Sequence, residues 1–167
     1  MRRFFDRGHS HDCNAPPGEG RQLIVRPVVA RPAETRVLRL RSQKPKLIAV
    51  DPDPDVLNFI AIAADPWYHV IAARDSCWAK AWLLQYHDIS AIVVSEHLSC
   101  GEGDDLLHRC RIVRPDVLRV LVTDRVEGRR AVGALMHGVA QRLVEWPMSV
   151  QSLQGAIHPA RAEILVA

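Results

Sequence analysis

Aromatic residues are scarce in this chain, at 5% of its 167 positions, and cysteines number only four. Cys13, Cys77, Cys100 and Cys110 show no close paired spacing, which argues against a zinc ribbon and against a disulfide framework. No apolar run approaches the roughly eighteen residues of a membrane helix, and the opening residues lack the apolar centre of a secretion signal. These absences lead us to expect a cytoplasmic protein with free thiols and no membrane partner. The chain also lacks a G-x-x-x-x-G-K-[ST] phosphate loop, a glycine fingerprint after its first strand and a glycine-flanked elbow around any candidate serine. Nucleotide chemistry and serine hydrolysis thereby lose their usual platforms. We expect no enzyme activity, no cofactor and no bound metal.

What is present suits one ordinary domain, because 48% hydrophobic residues are enough to fill a core. Charge is distributed unevenly. Residues 1–46 hold eleven Lys/Arg against four Asp/Glu, a net of +7, whereas residues 47–167 hold eleven against fifteen, a net of −4. The basic segment is able to meet nucleic acid, acidic lipid or an acidic protein face through phosphate or carboxylate attraction, or simply to be solvated.

Residues 1–22 read as a disordered polar leader, rich in Gly, Pro and His. Its His9, His11 and Cys13 have metal-ligand character but lack a fourth partner and a closing fold. Residues 23–45 alternate apolar and basic positions and read as a basic arm or a short edge hairpin, since the prolines exclude a central strand. Weak, non-specific nucleic-acid contact is expected through residues 21–46. No recognition-helix motif accompanies it.

From residue 46 the pattern alternates strand and helix. Residues 47–50 form a strand ending in Asp51, and Asp53 with Pro54 opens a helix to residue 64 whose buried stripe is Val56, Leu57, Ile60 and Ala64. Residues 68–72 are a second strand, and Ser76 is expected to cap a second helix with Ala79, Leu83 and Tyr86 on one face and Trp78 and Trp82 beside it. Residues 91–94 are the central buried strand, closed by Ser95, and residues 102–111 carry Leu106, Leu107 and Cys110 at helical spacing. A fourth strand over residues 117–122 ends at Thr123. The helix over residues 127–137 offers Val132, Leu135 and Met136 for burial and stops at Gly138. Leu143 and Val144 form a fifth strand, followed by Glu145, Trp146 and Pro147. Ser149 caps a last helix with Val150, Leu153 and Ile157, which Pro159 ends. The right-handed crossover rule then gives a doubly wound, five-stranded parallel sheet in the order 2-1-3-4-5, with residues 159–167 as a tail.

Residues 46–158, about two-thirds of the chain, resemble the receiver domain of two-component response regulators. The stretch LIAVDPDPDVL, residues 47–57, is similar to the family's first strand and acidic turn, and residues 98–107 are similar to its loop and third helix. Thr123 stands where the family ends its fourth strand in Ser or Thr. Glu145, twenty-two residues on, stands where the family has lysine.

The resemblance implies an altered site. A receiver takes a phosphoryl group from a phosphohistidine onto an aspartate at the end of strand three, and the matching position here is Ser95. Its Mg²⁺ rests on two acids after strand one, which here are Asp51 and Pro52. The aromatic switch position falls at Arg142. Asp51 and Thr123 alone keep the family's residue types. Glu96 is expected to point away from Ser95, and His97 gives Ser95 no evident activation. The expectation is a pseudo-receiver acting in its unmodified state through a protein partner or as a homodimer. Its face would be built from Val132, Met136, Arg142, Trp146, Val150 and Leu153. An atypical phosphorelay receiver and a nucleic-acid-associated regulator using the basic arm are the alternatives.

Overall fold

A computed structural model describes residues 44–158. The expectations for the leader, for nearly all of the basic arm, for Pro159 and for the tail fall outside the described residues. Strands β1 (Lys46–Val50), β2 (His69–Ala73), β3 (Ile89–Ser95), β4 (Leu118–Thr123) and β5 (Arg142–Glu145) alternate with helices α1 (Pro54–Ala64), α2 (Ser76–Gln85), α3 (Gly103–Val113), α4 (Arg129–Met136) and α5 (Val150–Ile157). The sheet is five-stranded and parallel in the order β2-β1-β3-β4-β5. Among the described residues no helix is long and apolar enough to cross a membrane.

The period-two geometry of strands sorts one sequence run into two cores. In β1, Leu47 and Ala49 join Ile60, Val93, Val120, Leu153 and Ile157 on the face covered by α1 and α5. Ile48 and Val50 join Leu83, Ile92, Val94, Leu106, Leu107 and Leu121 on the face covered by α2, α3 and α4. Leu47, Ile48, Ile92 and Leu121 are completely buried, and each such side chain stabilises the fold by about 1.5–3 kcal/mol relative to exposure. Every strand therefore ends at the same edge, where the loops to the following helices gather.

Local signals place most helix starts. Asp53 accepts the N–H of Asp55 at 2.8 Å and Pro54 takes the first helical position of α1. Ser149 closes a capping box with Ser152 at the start of α5. For α2 the cap is Asp75 rather than Ser76: its carboxylate accepts from the N–H groups of Cys77 and Trp78 at 2.8 and 3.0 Å. Ser76 is instead buried and donates to the Cys100 carbonyl at 2.8 Å, fastening α2 to the β3–α3 loop.

Helix α4 also departs from expectation. Ala131 and Ala134 are its buried residues, whereas Val132, Leu135 and Met136 are exposed. The small side chains let the helix approach the sheet and turn the large ones outward. Leu153, expected on an interaction face, is 0% exposed and belongs to the core beneath α5. Trp78 and Trp82 lie with ring centroids 6.0 Å apart on α2, the first partly exposed.

Two arginines brace the amino-terminal side of the sheet. Arg119, buried in β4, directs Nε to the Val139 carbonyl at 3.0 Å and Nη1 to those of Pro115 and Val117 at 3.2 and 3.0 Å. Burial lowers its pKa. Arg114 bonds the carbonyls of Tyr86, His87 and Ile89 and both carboxylate oxygens of Asp116, at 3.0–3.2 Å.

Candidate functional site at the carboxyl edge of the sheet

Asp51 leaves β1 with its N–H bonded to the Ala73 carbonyl at 3.1 Å, and its side chain is buried. Each carboxylate oxygen is engaged. Oδ1 accepts the Asp53 N–H at 2.7 Å, and Oδ2 accepts the hydroxyl of Ser95 from the end of β3. The two residues meet because β1 and β3 pair directly, with Val50 opposite Val94. Pro52 is exposed and brings no oxygen beyond its backbone carbonyl.

On the other side of β3 lies a second pair. Thr123, buried at the end of β4, donates its hydroxyl to Glu96 Oε2 and accepts the Arg125 N–H at 3.2 Å. Glu96 extends the ladder one step past β3, donating its N–H to the Val122 carbonyl at 2.8 Å, and its own carbonyl accepts from Gly103 at 2.8 Å. Consecutive residues thus serve opposite neighbours: Ser95 reaches towards β1 and Glu96 towards β4. Sequence separation hid the Glu96–Thr123 pair, since the two lie 27 residues apart.

Glu145 stands opposite Thr123 in the β4–β5 register and is exposed. The Thr123 carbonyl accepts the Trp146 N–H at 2.8 Å, which extends the pairing past β5. Arg142 begins β5 opposite Val120, at the far end of the strand from Glu145, and its Nη1 bonds the Gln141 carbonyl at 3.0 Å. Trp146 and Val150 are exposed at 44% and 42%, and Met136 of α4 at 81%.

The residues around Asp51 do not fit a Mg²⁺ ion. Mg²⁺ requires near-octahedral oxygen coordination, usually from more than one carboxylate when no substrate phosphate is present. Here the single acid has both oxygens committed, one to Ser95 and one to the turn that starts α1.

No family model matches the sequence, and no curated protein sequence matches it. Solved structures share its fold. The signal receiver domain of an HD domain-containing protein from Pseudomonas fluorescens Pf-5 is similar with a TM-score of 0.63 and 23% identity, over 74% of this chain and 96% of that one. A CheY-like response regulator receiver domain protein from Methanospirillum hungatei JF-1 gives 0.61 and 18%, over 66% and 88%. The isolated REC domain of RcsB from Salmonella enterica serovar Typhimurium, solved with the phosphomimetic BeF3⁻, gives 0.61 and 16%, over 72% and 91%.

Proposed function

We propose that this chain is a receiver-fold signalling module that neither accepts a phosphoryl group nor holds Mg²⁺, and that it works through protein association in its unmodified state. One observation carries the reading. The hydroxyl at the end of β3 is bonded to the Asp51 carboxylate, so a neutral group and an acid already satisfy each other where a receiver needs an anionic acceptor and a metal.

Phosphoryl transfer needs an acceptor placed in line and positive charge on the transferring oxygens. Ser95 supplies no anion, Pro52 supplies no second acid and Glu145 adds negative charge at the same edge. The exposed apolar side chains Val132, Leu135 and Met136 on α4, Trp146 just after β5 and Val150 at the start of α5 support the association half of the proposal, with a second copy or a signalling protein as partner. A cytoplasmic setting belongs to the same proposal.

Incubation with acetyl phosphate and Mg²⁺, read by intact-mass spectrometry beside a working receiver, tests the chemistry. The expected spectrum shows the unmodified mass alone. Stoichiometric labelling abolished by Ser95→Ala or Glu96→Gln would overturn the proposal.

A further inference from the structure

A group of ligand-bearing side chains lies beyond the Asp51–Ser95 pair, displaced towards β4. Glu96, His97 and Asp124 each present one ligand atom, and these atoms all lie within 4.8 Å of one another. Glu96 follows β3 and Asp124 follows β4. The two strands are hydrogen-bonded neighbours, so sheet pairing itself brings these carboxylates together. His97 is held in the same loop by a bridge to Glu102.

The surroundings resemble those of a ligand set more than those of a solvated acidic cluster. Metal-binding side chains are usually oriented by outer partners: a histidine turns its second nitrogen to a carboxylate, and a ligating carboxylate receives a hydrogen bond. The carboxylate feature occurs here, and His97 meets its carboxylate at ion-pair distance rather than in a hydrogen bond. His97 Nδ1 lies 3.5 Å from Glu102 Oε2, which leaves Nε2 for an ion, and Glu96 Oε2 receives the Thr123 hydroxyl. Asp124 has no hydrogen bond or ion pair among the described residues. The neighbouring guanidinium of Arg130 is drawn elsewhere, with Nη1 2.7 Å from Glu102 and Nε 3.8 Å from Asp104.

We infer that Glu96, His97 and Asp124 bind a divalent transition-metal ion of the Zn²⁺ class at the ends of β3 and β4. One imidazole and two carboxylates suit Zn²⁺ or Co²⁺ better than Mg²⁺, which favours an oxygen shell. With metal–ligand distances of about 2.0–2.2 Å, tetrahedral ligand atoms lie about 3.4 Å apart. Closing from 4.8 Å requires only side-chain rotation, and His97 and Asp124 are exposed and free to make it. Three protein ligands leave a coordination position for water or for a partner's side chain. The site uses neither Asp51 nor Ser95, so it stands or falls separately from the absence of phosphoryl transfer.

The test is calorimetric titration of the full chain with Zn²⁺, paired with the visible absorption of Co²⁺. Because His9, His11 and Cys13 carry ligand atoms of their own, a His9→Ala, His11→Ala, Cys13→Ser variant serves as the background. In that background one equivalent of Zn²⁺ should bind, and His97→Ala or Asp124→Asn should weaken it by about tenfold or more. Excess Mg²⁺ should not displace it. Both side chains are exposed, so these variants should keep the parent's circular dichroism. The Co²⁺ spectrum should lose intensity in step with affinity. Absence of saturable binding in the background variant, or binding unchanged by both substitutions, would overturn the assignment.

Discussion

The Ser95 hydroxyl donates to Asp51 Oδ2, joining the ends of two adjoining strands through a hydroxyl and a buried acid. The bond satisfies a carboxylate oxygen that the fold has largely withdrawn from water, and removing the donor exposes that cost.

Ser95→Ala should therefore lower stability by about 1–3 kcal/mol, read as a shifted urea midpoint with an unchanged slope. Ser95→Asp should be worse tolerated, because it sets a second carboxylate against Asp51. It should also remain unlabelled by acetyl phosphate. Labelling should begin to return only when Pro52→Asp and Glu145→Lys are added, and efficient labelling of the single Ser95→Asp variant would contradict the charge argument.

Arg119 supports a second prediction. Its guanidinium serves spread-out carbonyls of Pro115, Val117 and Val139 from inside the sheet. A lysine keeps the charge but cannot present the same fork. Arg119→Lys should cost about 2 kcal/mol in chemical denaturation. A loss below about 0.5 kcal/mol would mean that those carbonyls find other partners at little cost.

Cys110 offers a pH-dependent prediction. Burial raises its thiol pKa from the ordinary 9.0 to about 11. A group raised in the folded state stabilises fully below its unfolded pKa, and that contribution disappears as pH rises through the folded value. Stability should accordingly decline between about pH 9 and 11, and the decline should be reduced in Cys110→Ala. At pH 8, iodoacetamide should modify Cys110 only after denaturant is added. Rapid native-state modification of Cys110, mapped by peptide mass, would contradict its burial.

The exposed side of α4 gives a fourth. Met136 is 81% exposed, so Met136→Glu should change stability by no more than about 0.5 kcal/mol. Sedimentation velocity should nevertheless show weaker self-association or partner binding. Unchanged association in Met136→Glu combined with Trp146→Ser would remove this surface from the proposal.

Much of the architecture was readable because its signals are local. Apolar runs followed by Asp51, Ser95 and Thr123 mark strand ends, and Asp53-Pro54 and Ser149 mark helix starts. The cap of α2 is ambiguous in sequence because Asp75 and Ser76 are both good capping residues, and the distant Cys100 carbonyl takes the Ser76 hydroxyl and leaves the cap to Asp75. Arg119 carries no local signal of its role, because the Val139 carbonyl it serves lies 20 residues on and is brought to it only by the fold, even though its other acceptors, Pro115 and Val117, are close in the chain. Leu153 reads as part of an interaction face but belongs to the core. The rotation of α5 depends on its contacts with α1 and the sheet, which periodicity alone does not specify. At the candidate site, the strand-end residues could be found in the sequence, but the division of labour between Ser95 and Glu96 required the strand order and register.

The Gly103 amide is bonded to the Glu96 carbonyl, and a Cβ on Gly103 would lie 2.2 Å from the Ser95 carbonyl oxygen. Strand β3 and helix α3 therefore behave as a single machined part, with the backbone of one seated directly on that of the other. In a saturation-mutagenesis map, position 103 should appear as a column tolerating glycine alone, although it bears no side chain and contributes nothing to the chemistry beside it. A displacement of α3 should therefore carry Ser95 and Glu96 with it, because the Gly103 backbone leaves no gap between helix and strand.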